Sequence, residues 1–338
     1  MKRALVIRLS SLGDVVLASS VIEPLKRAGY RVEFLTFRPF GELFRNHPGV
    51  SRVLETSREE LRGLSNLKSF AEGLKGYDAV FDLQDNLRTK LMRPFIPAKV
   101  FVYPKRALLR RLMVVFKPFK AKWLYVPELY GEALKRAGIG AESLRPKLYP
   151  GKEELNKVKK LLPAGNAVAV APGAKWEGKR YPVEKFKEVV KLLKSKGFTV
   201  LVVGGREEFE LGEALKEEGA ENLCGKLSLS ESLALLSLVK GVISNDSAVV
   251  HMARAVKTPV VAVFGPTHPA FGFAPYPDEG VAVTLNLPCS PCSLHGKTSC
   301  THRRCFNIEP ERVVGELLRL VESGSRKEEG VEVKTATG

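Results

Sequence analysis

The segment from Arg8 to Ala18 holds one carboxylate, Asp14, one glycine, Gly13, and two hydroxyls, Ser10 and Ser11. The apolar run Ala4–Leu9 before it reads as a buried strand. Val15–Ala28 after it reads as a helix, bent or restarted at Pro24. A strand, a glycine loop and a helix in that order present a ligand site at the carboxyl edge of an open α/β sheet. A loop that only cradles phosphate has no use for an acid. Asp14 suits proton abstraction, and locally a plain helix cap explains it equally well.

Three loops in the second half share this layout. Ala167–Ala171 leads into Pro172–Pro182, which carries Gly173, Lys179 and Arg180, and a helix follows from Val183. Helix N-termini attract phosphate through free N–H groups and the dipole, and Lys179 and Arg180 sit beside this one. A diphosphate site and a solvated basic loop both fit that spacing. After Gly241–Ser244 come Asn245, Asp246 and Ser247, with His251 five residues beyond the acid. The plain reading is that Asp246 or Ser247 caps a helix near Ala248, and that His251 is a packed helix residue. Val260–Phe264 runs into Gly265, Pro266, Thr267 and His268. Together these three strand-end loops describe a nucleotide-sized cleft. The chain has neither GxGxxG nor GxxxxGK[ST], which argues against a dinucleotide oxidoreductase and a P-loop NTPase.

Between Asn86 and Pro127 there is no Asp or Glu, while 11 basic residues run from Arg88 and Lys90 to Lys120 and Lys122. Leu108, Leu109, Leu112, Met113, Val114, Val115, Phe116 and Phe119 are interleaved with them. A solvated face normally mixes both signs. A basic, apolar segment suits an acidic lipid surface or a phosphorylated glycolipid, at about 1 kcal/mol per basic residue near an anionic membrane. RNA is the competing anion, disfavoured by the scarcity of stacking aromatics.

Cys289, Cys292, Cys300 and Cys305 have the spacing C-x2-C-x7-C-x4-C, with His295 and His302 among them. Four thiolates there suit a structural zinc; two disulfides and free thiols are the other readings. Cys224 stands alone and reads as buried packing.

The elements that must position these residues alternate throughout. Strands are expected at Ala4–Leu9, Arg31–Leu35, Ala79–Leu83, Lys99–Tyr103, Ala167–Ala171, Thr199–Val203, Gly241–Ser244, Val260–Phe264 and Val281–Leu285. Helices are expected between them, at Val183–Lys196, Glu207–Glu218 and Ser230–Lys240 among others. This βαβ alternation predicts parallel sheets covered by helices, restarting near Ala167. The expected organisation is one Rossmann-like domain over 1–150, a second over 151–322 and a mobile polar tail over 323–338. The chain has 338 residues and a net charge of +17, which favours an anionic partner. No apolar run approaches a membrane span, and Arg8 and Asp14 interrupt the N-terminal run too early for a signal peptide, so a cytoplasmic protein is expected. A single glutamine, Gln84, amid abundant Lys, Arg and Glu suits a thermophile.

Ser10-Ser11-Leu12-Gly13-Asp14-Val15, Asp82-Leu83-Gln84-Asp85-Asn86-Leu87-Arg88, Lys179-Arg180-Tyr181-Pro182, Asn245-Asp246-Ser247 through His251, and Gly265-Pro266-Thr267 occur in that order. In these motifs the chain resembles the lipopolysaccharide ADP-heptose heptosyltransferases of glycosyltransferase family nine, from Ala4 to about Val321. The resemblance implies an α/β fold of GT-B type, with two Rossmann-like domains facing each other across a cleft. It implies inverting transfer of L-glycero-D-manno-heptose from ADP-heptose to the Kdo/heptose inner core of lipopolysaccharide. Carried onto this chain, Asp14 is the general base. Lys179, Asp246, Ser247, Thr267 and Gly265 bind the donor, joined by Gly173, Arg180 and His251. Ser10, Ser11, Arg88 and Lys90 are candidates for the acceptor. Ala248 departs from the glycine that often follows the Asp-Ser/Thr pair, which loosens the detail of the phosphate loop.

The resemblance implies no cofactor and no catalytic metal beyond the donor itself. The implied partners are the nucleotide sugar and an anionic glycolipid, met by a monomer at the cytoplasmic face of the inner membrane, without nucleic acid. The alternatives are a same-fold transferase with another nucleotide sugar or acceptor, a sugar-nucleotide epimerase, and a non-catalytic basic protein binding membrane or RNA.

Overall fold

The computed structural model describes residues 1–117, 123–162, 165–297 and 300–335. Phe119, Lys120 and Lys122 of the basic stretch lie outside them. The chain divides into two compact units, Met1–Ala107 with Leu124–Gly151, and Leu108–Trp123 with Lys152–Gly338.

The first unit has five strands, β1 (Lys2–Ile7), β2 (Tyr30–Phe37), β3 (Val50–Thr56), β4 (Ala79–Asp82) and β5 (Lys99–Val102). They form one parallel sheet in the order β3-β2-β1-β4-β5. Its helices are α1 (Leu12–Ala18), α2 (Ile22–Arg27), α3 (Leu64–Glu72), α4 (Leu87–Met92) and α6 (Val126–Arg136), while α5 (Ala107–Phe116) belongs almost entirely to the second unit. Val15–Ala28 is thus two short helices joined by a 3-10 turn at Ser19–Val21. Pro24 lies in the first turn of α2, where its missing N–H would have no helical partner anyway.

The second unit repeats the plan with β6 (Ala167–Ala171), β7 (Thr199–Val202), β8 (Glu221–Asn222), β9 (Val242–Asn245), β10 (Val260–Val263) and β11 (Gly280–Val283). Their order is β11-β10-β9-β6-β7-β8, again parallel. Its further helices are α7 (Lys152–Lys159), α8 (Val183–Ser195), α9 (Phe209–Lys216), α10 (Leu229–Leu236), α11 (Ala248–Ala255) and α12 (Pro310–Thr335). Counted within each unit, both sheets follow the doubly wound order 3-2-1-4-5, extended to 6 in the second. All five residues of β6 are buried, as a strand covered on both faces requires.

Two strands have no counterpart in the sequence reading. β3 and β8 are sheet edges, where charged residues such as Arg52, Glu55 and Glu221 replace the continuous apolar run of a central strand. α12 packs Val313, Val314 and Leu317 into the core of the second unit and continues through Thr335 as one helix, in a stretch rich in Glu, Lys and Arg, all good helix formers.

Candidate functional site

In a doubly wound sheet the ligand crevice lies at the carboxyl ends of the strands where the order reverses. In the first unit that point falls between β1 and β4. The loop after β1 holds Asp14 in the first turn of α1. Asp14 Oδ1 is 2.8 Å from the Arg8 guanidinium, and Asp14 Oδ2 accepts from Ser11 Oγ at 2.8 Å. Arg8 is buried and also donates to Leu83 O, at the end of β4. Burial alone would lower the Arg8 pKa; the Asp14 charge, with Tyr130 and Tyr103, outweighs burial and raises it above the ordinary value.

The β4 end pins the same loop. Gln84 Oε1 accepts from Leu9 N at 3.0 Å and Ser10 N at 3.1 Å. Asp82, fully buried, accepts from Gln84 N and Asp85 N at 2.9 Å each and from Arg93 Nε at 2.8 Å. Lys105 donates to Asp85 O, and burial lowers its pKa with Arg8 and Lys90 adding repulsion against the pull of Asp85. Of the acceptor candidates, Ser10 and Ser11 lie in the Asp14 loop. Arg88 stacks 5.6 Å over the Phe37 ring, and Lys90 lies 3.9 Å from Asp85.

The corresponding point in the second unit lies between β6 and β9. Here Lys179, Asp246 and Thr267, from three different strand-end loops, converge. Lys179 Nζ is 2.6 Å from Asp246 Oδ2 and 3.2 Å from Asp246 O. Thr267 Oγ1 donates to the same Oδ2 at 2.8 Å. The α11 cap is Ser247, whose Oγ accepts from Val249 N at 3.3 Å, so the Asp246 carboxylate is used elsewhere. Asn245 ties the loops together: it accepts from Tyr181 N at 2.9 Å and donates to Pro172 O at 2.7 Å.

Gly173 and Gly265 serve close approach. A Cβ at Gly173 would stand 2.2 Å from Glu208 Cγ, and one at Gly265 would stand 2.2 Å from the Phe306 ring. Arg180 turns its Nε back onto Ala174 O at 3.1 Å. His251 is buried on α11 with Arg254 Nη1 at 3.3 Å from its Nδ1, and Arg254 pairs with Glu279 Oε2 at 2.5 Å.

Four residues that hold these loops have no role assigned to them from the sequence. Arg8 and Gln84 position the Asp14 loop. Arg303 donates to Arg180 O and to Glu177 O, bracketing Lys179. Gly296, at φ +83°, lies where a Cβ would be 2.3 Å from Lys179 Cγ. Gln84 stands in the Asp82–Arg88 motif and is the single glutamine of the chain, but neither signal says what its side chain holds. For Arg303 and Gly296 there was none, because their partners are more than 110 residues away.

The cysteine expectations need correcting. Cys289, Cys292, Cys300 and Cys305 are separate thiols, without a disulfide. Among the described residues no three His, Cys, Asp or Glu side chains converge as metal ligands. All four cysteines line one cavity of about 310 Å³, together with Gly178 and Pro266, the residues preceding Lys179 and Thr267. Burial, then the neighbouring thiols, pushes the Cys305 thiol up to about 11. This segment braces the loop that carries Thr267 through backbone bonds such as Cys292 N to Pro266 O at 3.0 Å.

Comparison with known proteins places the chain among heptosyltransferases. Lipooligosaccharide heptosyltransferase 2 of Haemophilus influenzae is 33% identical over 181 residues, 50% of this chain and 52% of that protein. Lipopolysaccharide heptosyltransferase 1 of Pseudomonas aeruginosa is 25% identical over 343 residues, 92% of each chain. The chain spans about half the length of several curated relatives it matches, including the 48% matched of lipopolysaccharide heptosyltransferase 2 of Salmonella typhimurium. Among solved structures, E. coli ADP-heptose heptosyltransferase II shares the fold at TM-score 0.74 and 22% identity, covering 96% of this chain and all of that one. An E. coli heptosyltransferase solved with ADP aligns at TM-score 0.66 and 23% identity over 83% of this chain and 92% of its own, and its form with ADP-2-deoxy-2-fluoro heptose at 0.64 with the same identity and coverage. The profile of glycosyltransferase family 9 (heptosyltransferase) matches residues 68–301, and the chain belongs to that family.

Proposed function

We propose that this protein is an inverting glycosyltransferase that moves L-glycero-D-manno-heptose from ADP-heptose to the Kdo/heptose inner core of lipopolysaccharide. The observation that carries the reading is the convergence of Lys179, Asp246 and Thr267 at the switch point of the second sheet, in a chain of this family. The donor is argued by analogy with the relatives solved with ADP and with the fluoro-heptose nucleotide.

In this mechanism the donor binds the second unit. Lys179 and the N–H groups at nearby helix starts stabilise negative charge on the departing diphosphate. Asp246, anchored by Lys179 and Thr267, receives sugar hydroxyls. The acceptor binds the first unit, and its hydroxyl oxygen attacks the anomeric carbon from the face opposite ADP. The new C–O bond forms as the bond to the diphosphate oxygen breaks, and the proton passes to an Asp14 carboxylate oxygen. Arg8 and Ser11 hold that carboxylate in place. The acceptor is lipid-linked, so the reaction takes place at the cytoplasmic face of the inner membrane, with the protein as a monomer at its surface.

Incubation with ADP-heptose and either Kdo-lipid A or its heptosylated form tests this reading by mass spectrometry. One acceptor should gain the mass of a single heptose. Hydrolysis or epimerisation without transfer to either acceptor would sink it. ADP should raise the melting temperature more than UDP or GDP does.

A further inference from the structure

Helix α5 carries its apolar residues on the wrong side for a helix in water. Its inward side is narrow: Met113 is 3% exposed, and Arg110 lays its guanidinium 5.3 Å over the Phe273 ring of the same unit. The outward side carries Leu108 at 70% exposure, Leu112 at 40%, Val115 at 68% and Phe116 at 74%. At 3.6 residues per turn Leu108, Leu112 and Val115 fall in one line and Phe116 beside it. Arg111 is exposed next to that line, and Arg106 and Lys117 flank the two ends of the helix. The whole stretch from Asn86 to Pro127 lacks acids. Helix α4 of the first unit has the same character, with Leu87 and Leu91 exposed one turn apart and Lys90 exposed between them.

The charge selects the occupant. A second copy of the chain seated on α5 would bring like charges together at Arg106, Arg111 and Lys117. Nucleic acid would satisfy the cations and leave four large apolar side chains in water. An anionic phospholipid surface takes both, with apolar side chains below the headgroups and cations among the phosphates. Among the described residues no helix is long and apolar enough to cross a membrane, so the contact is in-plane.

We propose that α5 is an interfacial anchor that seats this protein on an anionic bilayer by inserting Leu108, Leu112, Val115 and Phe116. This deepens the proposed function and rests on its lipid-linked acceptor. The test is co-sedimentation of the full chain with phosphatidylglycerol/phosphatidylethanolamine vesicles and with phosphatidylcholine vesicles. The wild type should bind the anionic vesicles and release them in high salt. The double variant Leu112→Glu/Phe116→Glu should bind about tenfold or more weakly, and Arg111→Glu should bind weakly while keeping the apolar side chains. Stabilisation by ADP should be the same in the variants and the wild type, which shows that they are folded.

Equal vesicle binding by the double variant and wild type would overturn the anchor. So would equal wild-type binding to neutral vesicles, or wild-type self-association that the double variant abolishes. Failure of the glycosyltransferase reading is separate: the wild type would then fail to transfer heptose to detergent-solubilised acceptor whatever its vesicle binding.

Discussion

Arg8 Nη2 lies 2.8 Å from Asp14 Oδ1, joining a buried cation at the end of the first strand to the carboxylate assigned as base. The pair links chemistry to stability. Asp14→Ala removes the proposed proton acceptor and leaves the buried guanidinium with one partner fewer. Transfer should fall by about 10²–10⁴-fold, ADP affinity should hold, and unfolding free energy should drop by about 1–3 kcal/mol. Asp14→Asn keeps a hydrogen-bonding oxygen for Arg8 and should recover much of the stability with none of the activity. A turnover in Asp14→Asn near that of wild type would remove Asp14 from the mechanism.

In the proposed mechanism the Lys179 ammonium serves both the bound diphosphate and the leaving group, so Lys179→Ala should weaken ADP binding and lower kcat together. Gly296→Ala should act in the same direction, at about tenfold in kcat/KM, since its Cβ would press on the root of the Lys179 side chain. In a Lys179→Ala background the Gly296 substitution should then cost little more. Additive losses in that double-mutant cycle would show that Gly296 acts elsewhere. Arg303→Lys should retain part of the positioning that Arg303→Ala loses, read as donor KM.

His47 makes the first unit sensitive to acid. It is packed against Phe44, with its ring centroid 5.0 Å from that of Tyr149. Burial pulls its pKa from 6.5 to about 4, reinforced by Lys147 and opposed by Glu23. The unfolded chain takes up the proton below about pH 6.5 and the folded chain only below about 4. Its contribution is therefore intact above 6.5 and is lost progressively down to 4, up to about 3 kcal/mol. Urea unfolding at stepped pH should show this fall in the wild type. His47→Gln should flatten it; an unchanged slope would place the acid sensitivity elsewhere.

Arg254, wholly buried on α11, pairs with Glu279 at 2.5 Å. Glu279→Ala strands that charge and should cost about 3–5 kcal/mol. Replacing both residues with apolar ones of similar size should cost much less. A loss below 1 kcal/mol in the single variant would mean that His251 and other neighbours already compensate Arg254.

Much of the fold is legible along the chain because a central parallel strand, buried on both faces, must be a continuous apolar run. Ala4–Ile7, Ala167–Ala171 and Val260–Phe264 declare themselves in this way, and each is followed by a loop with glycine or polar residues. β3 and β8 were invisible because edge strands mix charge into that pattern. The candidate site divides along the same line. Asp14, Lys179, Asp246 and Thr267 stand in strand-end loops, a property of local sequence order.

Their partners are another matter. Arg8 bonds to Leu83 across 75 residues, while Gln84 holds Leu9 and Ser10 across 75 and 74 residues. Arg303 reaches back to the backbone on both sides of Lys179. Strand order sets the first of these contacts, since β1 lies beside β4, and the chain after β11 returns Arg303 to the loop that follows β6. Sequence by itself determined which loops carry reactive groups, because backbone propensity and hydrophobic pattern are local. Only the tertiary structure decided what holds those groups in place, because a hydrogen bond depends on distance in space and strand crossovers bring remote residues within it.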